Sequence, residues 1–63
     1  MEELITVDDL AKRLKVPRSW VYGKTRERGV DVIPKVRIGK YIRFYFKDVV
    51  DWLEYLQKEK YAR

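Results

Sequence analysis

The sequence predicts an α+β fold that is mostly helical, with two helices joined by a tight turn, a two-stranded β-hairpin and a C-terminal helix. Three observations support this order. Pro17 separates two segments of helical pattern, Gly39 and Lys40 separate two short β-prone runs, and an apolar stripe at helical spacing follows Phe46. Because the chain has 63 residues, we expect a single domain, residues 1–63, with a marginal core that depends on large side chains.

The first helix is predicted over residues 7–14, after a short lead-in at residues 1–5. Thr6 can accept a hydrogen bond as the N-cap, and the acidic residue Asp9 lies three positions further on, where it favours the positive start of a helix. An apolar face at spacing i, i+1 and i+4 supports the helix. This face consists of Leu10, Ala11 and Leu14.

The second helix is predicted to begin at Pro17 or Arg18, after a tight turn, and to end near Arg28, just before Gly29. Pro17 cannot supply the side-chain cap that a serine would give. Gly23 in the middle of this helix costs about 1 kcal/mol relative to alanine. Either another backbone approaches Gly23 closely or the cost is simply tolerated.

The hairpin is predicted over residues 36–45, after a loop at residues 29–35. Gly39 and Lys40 form its two-residue turn, and a glycine in first place favours type II′. Alternation predicts one apolar face and one largely cationic face, unless the turn shifts the register. The apolar face is expected to carry Val36, Ile38, Ile42 and Phe44, and the other face Arg37, Tyr41, Arg43 and Tyr45.

The last segment, from Phe46 onwards, is predicted to be a helix. Asp48 suits its first turn. Apolar residues recur at i, i+3, i+4 and i+7, which indicates a buried stripe; they are Val49, Trp52, Leu53 and Leu56. Ile33, in the loop before the hairpin, is also expected to be buried.

The excess positive charge lies in the middle of the chain. Residues 17–43 hold eight Lys and Arg against two Asp and Glu, a net +6, whereas residues 1–16 sum to −1 and residues 44–63 to zero. Concentrating one sign of charge costs stability, so a polyanionic partner is indicated. Nucleic acid is the preferred interpretation; a solvated basic surface and an anionic membrane are the alternatives.

The composition argues against an enzyme. The chain has no cysteine and no histidine, and its ten acidic residues form no convincing inward-facing pair. The commonest general base and metal ligands are therefore missing, and we expect no catalytic residue, no metal and no cofactor. No apolar run approaches the roughly 20 residues that a membrane span requires, so a cytoplasmic protein is expected.

The predicted order of elements has a functional meaning. Two helices joined by a turn of three or four residues form a helix-turn-helix unit, whose second helix enters the major groove of DNA. Here the second helix, residues 17–28, is basic, and so is the hairpin beside it. The helix and a thin Gly-Lys hairpin tip could contact neighbouring grooves of one duplex.

Two stretches carry a recognisable family pattern: LITVDDLAKRLKVPRSWVYGKTRERG and then KVRIGKYIRFYFKDVVDWL. They resemble the excisionase-like branch of the MerR-type winged helix-turn-helix proteins over residues 4–53. The resemblance implies DNA binding through the second helix and through the hairpin, residues 36–45, which is the wing of such proteins. The matching positions are Arg18, Ser19, Tyr22 and Arg26 on the helix and Lys40, Tyr41 and Arg43 on the wing; Lys24 and Arg37 complete the predicted set of DNA contacts.

The resemblance further implies an excisionase or recombination-directionality factor of a prokaryotic mobile element, with a recombinase as a possible second partner. The alternatives are a small transcription regulator, the DNA-binding domain of a phage packaging or transposition protein, and a protein-binding adaptor. The last helix has room for only about two heptads, and its apolar stripe is needed for the core. We therefore expect a monomer in solution that can bind cooperatively to tandem sites.

Overall fold

The computed structural model describes residues 3–29 and 31–61, and within them it confirms a mostly helical α+β winged helix-turn-helix fold. Three helices pack with a three-stranded antiparallel sheet. The elements in chain order are β1 (Leu4–Ile5), α1 (Val7–Leu14), α2 (Arg18–Arg26), β2 (Val36–Ile38), β3 (Tyr41–Tyr45) and α3 (Phe46–Tyr61).

The first helix and the turn after it are as predicted. The Thr6 side chain accepts a hydrogen bond from the backbone N–H of Asp9 at 3.1 Å. At the other end Lys15 has a left-handed backbone with φ of 60°, and the N–H of Val16 donates to the carbonyl of Ala11 at 3.0 Å. This cap ends α1 and turns the partly buried Val16 against the core.

The second helix begins at Arg18 as predicted but ends at Arg26, two residues earlier than expected. Glu27 is already extended, with φ of −69° and ψ of 152°. In the last turn of the helix the Thr25 hydroxyl donates to the Tyr22 carbonyl at 2.7 Å. Gly29, at φ of 115°, turns the chain further on.

The sheet contains a strand that the sequence did not predict. The sequence predicts only a lead-in at Leu4 and Ile5, but these residues form β1 and pair with Tyr45 and Phe44 of β3. The strand order is β1-β3-β2. A strand of two hydrophobic residues is too short to show an alternating pattern in the sequence. β1 forms because its backbone pairs with the free edge of β3.

The predicted faces of the wing are wrong, because the turn sets a different register. Ile38 pairs with Tyr41, and Arg37 with Ile42, across Gly39 and Lys40. Directly opposed residues lie on the same face of a sheet, so even positions of β2 share a face with odd positions of β3. The inner face carries Arg37, Ile42 and Phe44; the outer face carries Val36, Ile38, Tyr41, Arg43 and Tyr45.

The turn itself is as predicted. Gly39 has φ of 58°, and Lys40 keeps a negative φ, which is the pattern of a type II′ turn. The glycine therefore allows the sharp hairpin tip.

The core lies where the helices meet the inner face of the sheet. Phe44 of β3 is fully buried, and so are Leu10, Val21, Ile33 and Val49. The predictions that Ile33 and Trp52 are buried are therefore confirmed. The Trp52 indole N–H donates to the carbonyl of Asp31 at 3.0 Å and fastens the loop before the wing to α3. Among the described helices, none is long and apolar enough to cross a membrane.

Candidate nucleic-acid interface

One face of α2 points away from the core. Arg18, Tyr22 and Arg26 follow one another at intervals of four residues and therefore line one side of the helix, with Ser19 beside them. All four residues are exposed, and Tyr22 retains 44% of its accessible surface. Val21, outside this row, is fully buried and holds the helix to the core. Two cations, a hydroxyl and a phenol thus form the surface that α2 offers to a ligand.

Arg18 has a partner inside the protein. Its guanidinium donates to the carboxylate of Asp8, in the first turn of α1, at 3.0 Å. This hydrogen bond and the charge of Asp8 raise the pKa of Arg18 further above its ordinary value. Because both side chains are more than half exposed, the pair orients Arg18 without removing it from solvent.

A groove of about 580 Å³ lies between α2 and the wing. Tyr22, Thr25 and Arg26 border it on the helix side, and Arg37 and Ile42 border it on the wing side. Arg37 reaches the groove because it lies on the inner face of the hairpin, beside Ile42. The loop between the two elements closes the groove with Glu27, Arg28 and Lys35. The groove therefore joins the helix-turn-helix unit to the wing.

The groove is strongly cationic. Its lining has four cations and one acid; the cations are Arg26, Arg28, Lys35 and Arg37. None of the four has an acidic partner within 4.0 Å among residues 3–29 and 31–59. The acid, Glu27, is paired with Lys24 at 3.2 Å. Four cations without counterions around an open groove are suited to the phosphates of a nucleic-acid backbone.

The structure does not bring Lys24 to the exposed face of α2. Its side chain is only 30% exposed and pairs with Glu27. Its ammonium also lies 5.6 Å from the centre of the Trp20 ring, within the range of a cation–π contact. Trp20 is partly buried against the core. Lys24 thus lies on the side of the helix away from the Arg18–Tyr22–Arg26 row.

The outer face and tip of the wing carry the remaining predicted contacts. Lys40 is in the exposed turn, and its ammonium lies 5.8 Å from the centre of the Tyr41 ring. The Arg43 guanidinium lies 5.4 Å from the same ring and also donates to the carbonyl of Ile42 at 2.9 Å. Tyr41 is thus within the range of a cation–π contact with two cations. The wing therefore has an inner face with Arg37 in the groove and an outer face with Tyr41 and Arg43.

A family model described as a helix-turn-helix domain matches residues 4–55, which is more than half of the chain. The chain belongs to this family of helix-turn-helix domains. The match confirms the resemblance to excisionase-like DNA-binding proteins and gives DNA as the partner. Neither the curated proteins nor the solved structures that were searched gave a significant match.

In helix-turn-helix domains in general the second helix is the recognition helix, and the second helix here is α2. Helix-turn-helix domains of this family are typically not enzymes. Among the described residues no three metal-ligating side chains gather into a possible metal site.

Two groove residues were missed when the sequence was interpreted as a helix-turn-helix domain. Arg28 and Lys35 lie outside the helix and the strand, in the loop that closes the groove. The only signal for them was the +6 charge of residues 17–43, in which both were counted. The charge count shows that residues 17–43 have an excess of Lys and Arg. It does not show which of these cations the folded loop places beside the groove.

Proposed function

We propose that this protein binds double-stranded DNA sequence-specifically, with the exposed face of α2 in the major groove and the wing on the backbone and minor groove of the same duplex. The observation that carries the proposal is the cationic groove, which α2 and the wing border together. A surface shared by both elements lets them contact one ligand at the same time.

The residues divide into two roles. Arg18 and Arg26 project from α2, where an arginine can form two hydrogen bonds with guanine, and Ser19 and Tyr22 are placed for bases or phosphates. Arg28, Lys35 and Arg37 surround the groove and suit phosphates, as Lys40 does at the wing tip. Contacts of the first kind give specificity, whereas those of the second kind give affinity and orientation.

The biological role that we favour is an excisionase or recombination-directionality factor, which organises DNA for a recombinase and performs no chemistry itself. The family resemblance supports this role, and a small transcription regulator or the DNA-binding domain of a phage protein is the alternative. We further propose that residues 1–63 act as one domain and that the protein is monomeric without DNA. Val49 and Trp52 of α3 are buried in the core, so they are not free to form a coiled coil with a second copy. Their burial supports a monomeric state. A tight dimer in sedimentation would contradict this.

The salt dependence of binding tests the DNA partner. If five or six phosphates are contacted, log K should fall with log salt with a slope near −5, since each neutralised phosphate contributes about −0.9. The measurement is a fluorescence anisotropy titration of a labelled duplex at several salt concentrations. A slope close to zero would contradict DNA binding and favour the protein-binding adaptor.

Selection from a pool of random duplexes tests the specificity. Repeated binding and amplification should enrich one short motif, because α2 presents arginines to base edges. Binding without any enriched motif would contradict sequence-specific recognition while leaving the DNA partner intact.

A further inference from the structure

The tip of the wing carries an apolar pair that the core does not use. Ile38 and Tyr41 lie directly opposite each other on the outer face. Their exposed fractions are 47% and 54%, and neither side chain packs against the core cluster. Ile38 is the most exposed large aliphatic side chain among the described residues. Such a pair helps two strands to associate, but threonine or valine could do the same without exposing as much apolar surface.

The surroundings of this pair are cationic throughout. Lys40 and Arg43 lie over the Tyr41 ring, and Arg37 precedes Ile38 in β2 but lies on the inner face. The sequence contains no acidic residue between Asp31 and Asp48. A second copy of the wing would therefore be repelled by like charge, whereas a polyanion would be attracted.

These features match a known way of contacting DNA. Proteins that insert an isoleucine or another apolar side chain from the minor groove partly unstack a base step while nearby cations hold the phosphates. The Gly39 turn, at φ of 58°, makes the tip narrow, and an added Cβ would find no atom within 4 Å of it. The tip is therefore thin, apolar on one face and basic at its edges.

We infer that Ile38, supported by Tyr41, is a specificity-determining wedge that inserts from the minor groove at a deformable base step. The inference rests on the proposed DNA binding. It assigns to Ile38 the recognition of a base step by how easily the step unstacks, which hydrogen bonds to base edges do not provide. Pyrimidine–purine steps, TA and CA/TG, unstack most easily. The ligand is therefore duplex DNA with such a step at a fixed distance from the bases that α2 contacts.

Parallel selections from a random duplex pool test the wedge. The variants are Ile38→Thr, which keeps a β-branched side chain, and Leu4→Thr as the matched control. Leu4 is an exposed aliphatic residue on the same outer face, but it pairs with Tyr45 at the far end of β3 from the tip. Wild-type protein and Leu4→Thr should enrich a pyrimidine–purine step beside the α2 motif. Ile38→Thr should enrich the motif alone.

The preference can then be measured on two duplexes that differ only at that step. We expect wild type to favour the pyrimidine–purine duplex about fivefold, the lower end of what one altered base pair costs, and Ile38→Thr to bind both equally. A motif without a step preference, or a preference that Ile38→Thr keeps, overturns the wedge and leaves the proposed DNA binding standing. Absence of any duplex binding by wild type overturns both.

A second measurement uses wild-type protein alone and does not depend on the folding of a variant. The fluorescence of 2-aminopurine rises when the base unstacks, so a duplex with this base at the selected step should brighten on binding. An unchanged signal at saturation overturns the wedge. The same base placed outside the site is the control and should not respond.

Discussion

The guanidinium of Arg18 lies 3.0 Å from the carboxylate of Asp8, so the first residue of α2 is tied to the first turn of α1. The pair is exposed, and a phosphate or a guanine can take the place of the carboxylate. Asp8 therefore orients Arg18 in the free protein, and under the proposed function it would compete with DNA for the guanidinium.

Asp8→Asn should tighten binding to duplex DNA severalfold. The substitution removes one negative charge near the interface and leaves Arg18 only a weaker, neutral acceptor, so the slope of log K against log salt should steepen by up to about 1. Anisotropy titrations at several salt concentrations measure both quantities.

Asp9→Asn is the matched control for this prediction. Asp9 lies in the same turn, but its hydrogen bond to Thr6 uses the backbone N–H, so the substitution changes charge without touching Arg18. Equal gains in the two variants would show that net charge alone matters and that the Arg18–Asp8 pair has no special role.

Arg26 and Arg37 border the same groove from α2 and from the wing, and substitution of each should have a different effect. Arg26→Ala should lower the preference for the selected motif over random DNA by about 1–3 kcal/mol, as expected for a lost bidentate contact to guanine. Arg37→Ala should weaken binding to both DNAs equally and reduce the salt slope by about 1. Lys58→Ala, on the exposed part of α3, is the control and should change little. Uniform loss from Arg26→Ala would mean that α2 does not contact bases.

Substitution of Gly23 should change protein stability and DNA binding in opposite directions. An added Cβ at this position of α2 meets no atom within 4 Å, so Gly23→Ala should stabilise the free protein by about 1 kcal/mol. DNA binding should nevertheless weaken, because the methyl group would hold α2 away from the phosphodiester backbone. Thermal denaturation and anisotropy titration measure the two effects.

Gly29→Ala is the contrasting variant, since Gly29 has φ of 115° and alanine is strained there. It should therefore be less stable than wild type. If Gly23→Ala is more stable and binds DNA unchanged, the glycine is merely tolerated in α2 and the close approach is wrong.

Tyr55 reports on the docking of the loop against α3. The charge of Asp31, and to a smaller extent that of Glu59, raises the pKa of Tyr55 above its ordinary value of 10.0. The folded protein thus keeps the phenol proton to a higher pH than the unfolded chain does, and stability should fall as pH rises through and above 10.

Asp31→Asn should move the pKa of Tyr55 back towards 10 and weaken this pH dependence. The chemical shift of the Tyr55 ring carbon that bears the hydroxyl, followed against pH, measures it. Glu54→Gln is the control, since Glu54 is not among the groups that raise the pKa of Tyr55, and it should shift the titration less than Asp31→Asn does. An unaltered pKa in Asp31→Asn would contradict the placement of the loop.

Local chemistry made part of the fold predictable. The cap at Thr6 and the apolar spacing of Leu10 and Leu14 gave α1 its bounds, and Gly39 gave the type of turn. Each depends on residues a few positions apart. The strand at Leu4 and Ile5 was missed because it exists only through its pairing with β3, forty residues away in the chain.

The wing shows why a correct element can still have incorrect faces. A two-residue turn pairs Ile38 with Tyr41. Even-numbered residues of β2 therefore share a face with odd-numbered residues of β3, whereas simple alternation along the chain places even-numbered residues of both strands on one face. Arg37 therefore faces α2 while Ile38 is exposed on the other side. The arrangement of the predicted site residues around the groove depends on the tertiary structure and cannot be obtained from alternation along the strand.

The central claim is that α2 and the wing contact one duplex together, and an NMR titration of ¹⁵N-labelled protein with a random-sequence duplex tests it most directly. We expect the amide signals of residues 18–28 and 35–43 to shift together with one dissociation constant, while those of α3 stay in place. Shifts centred on α3, or shifts of α2 and the wing with two separate dissociation constants, would contradict it.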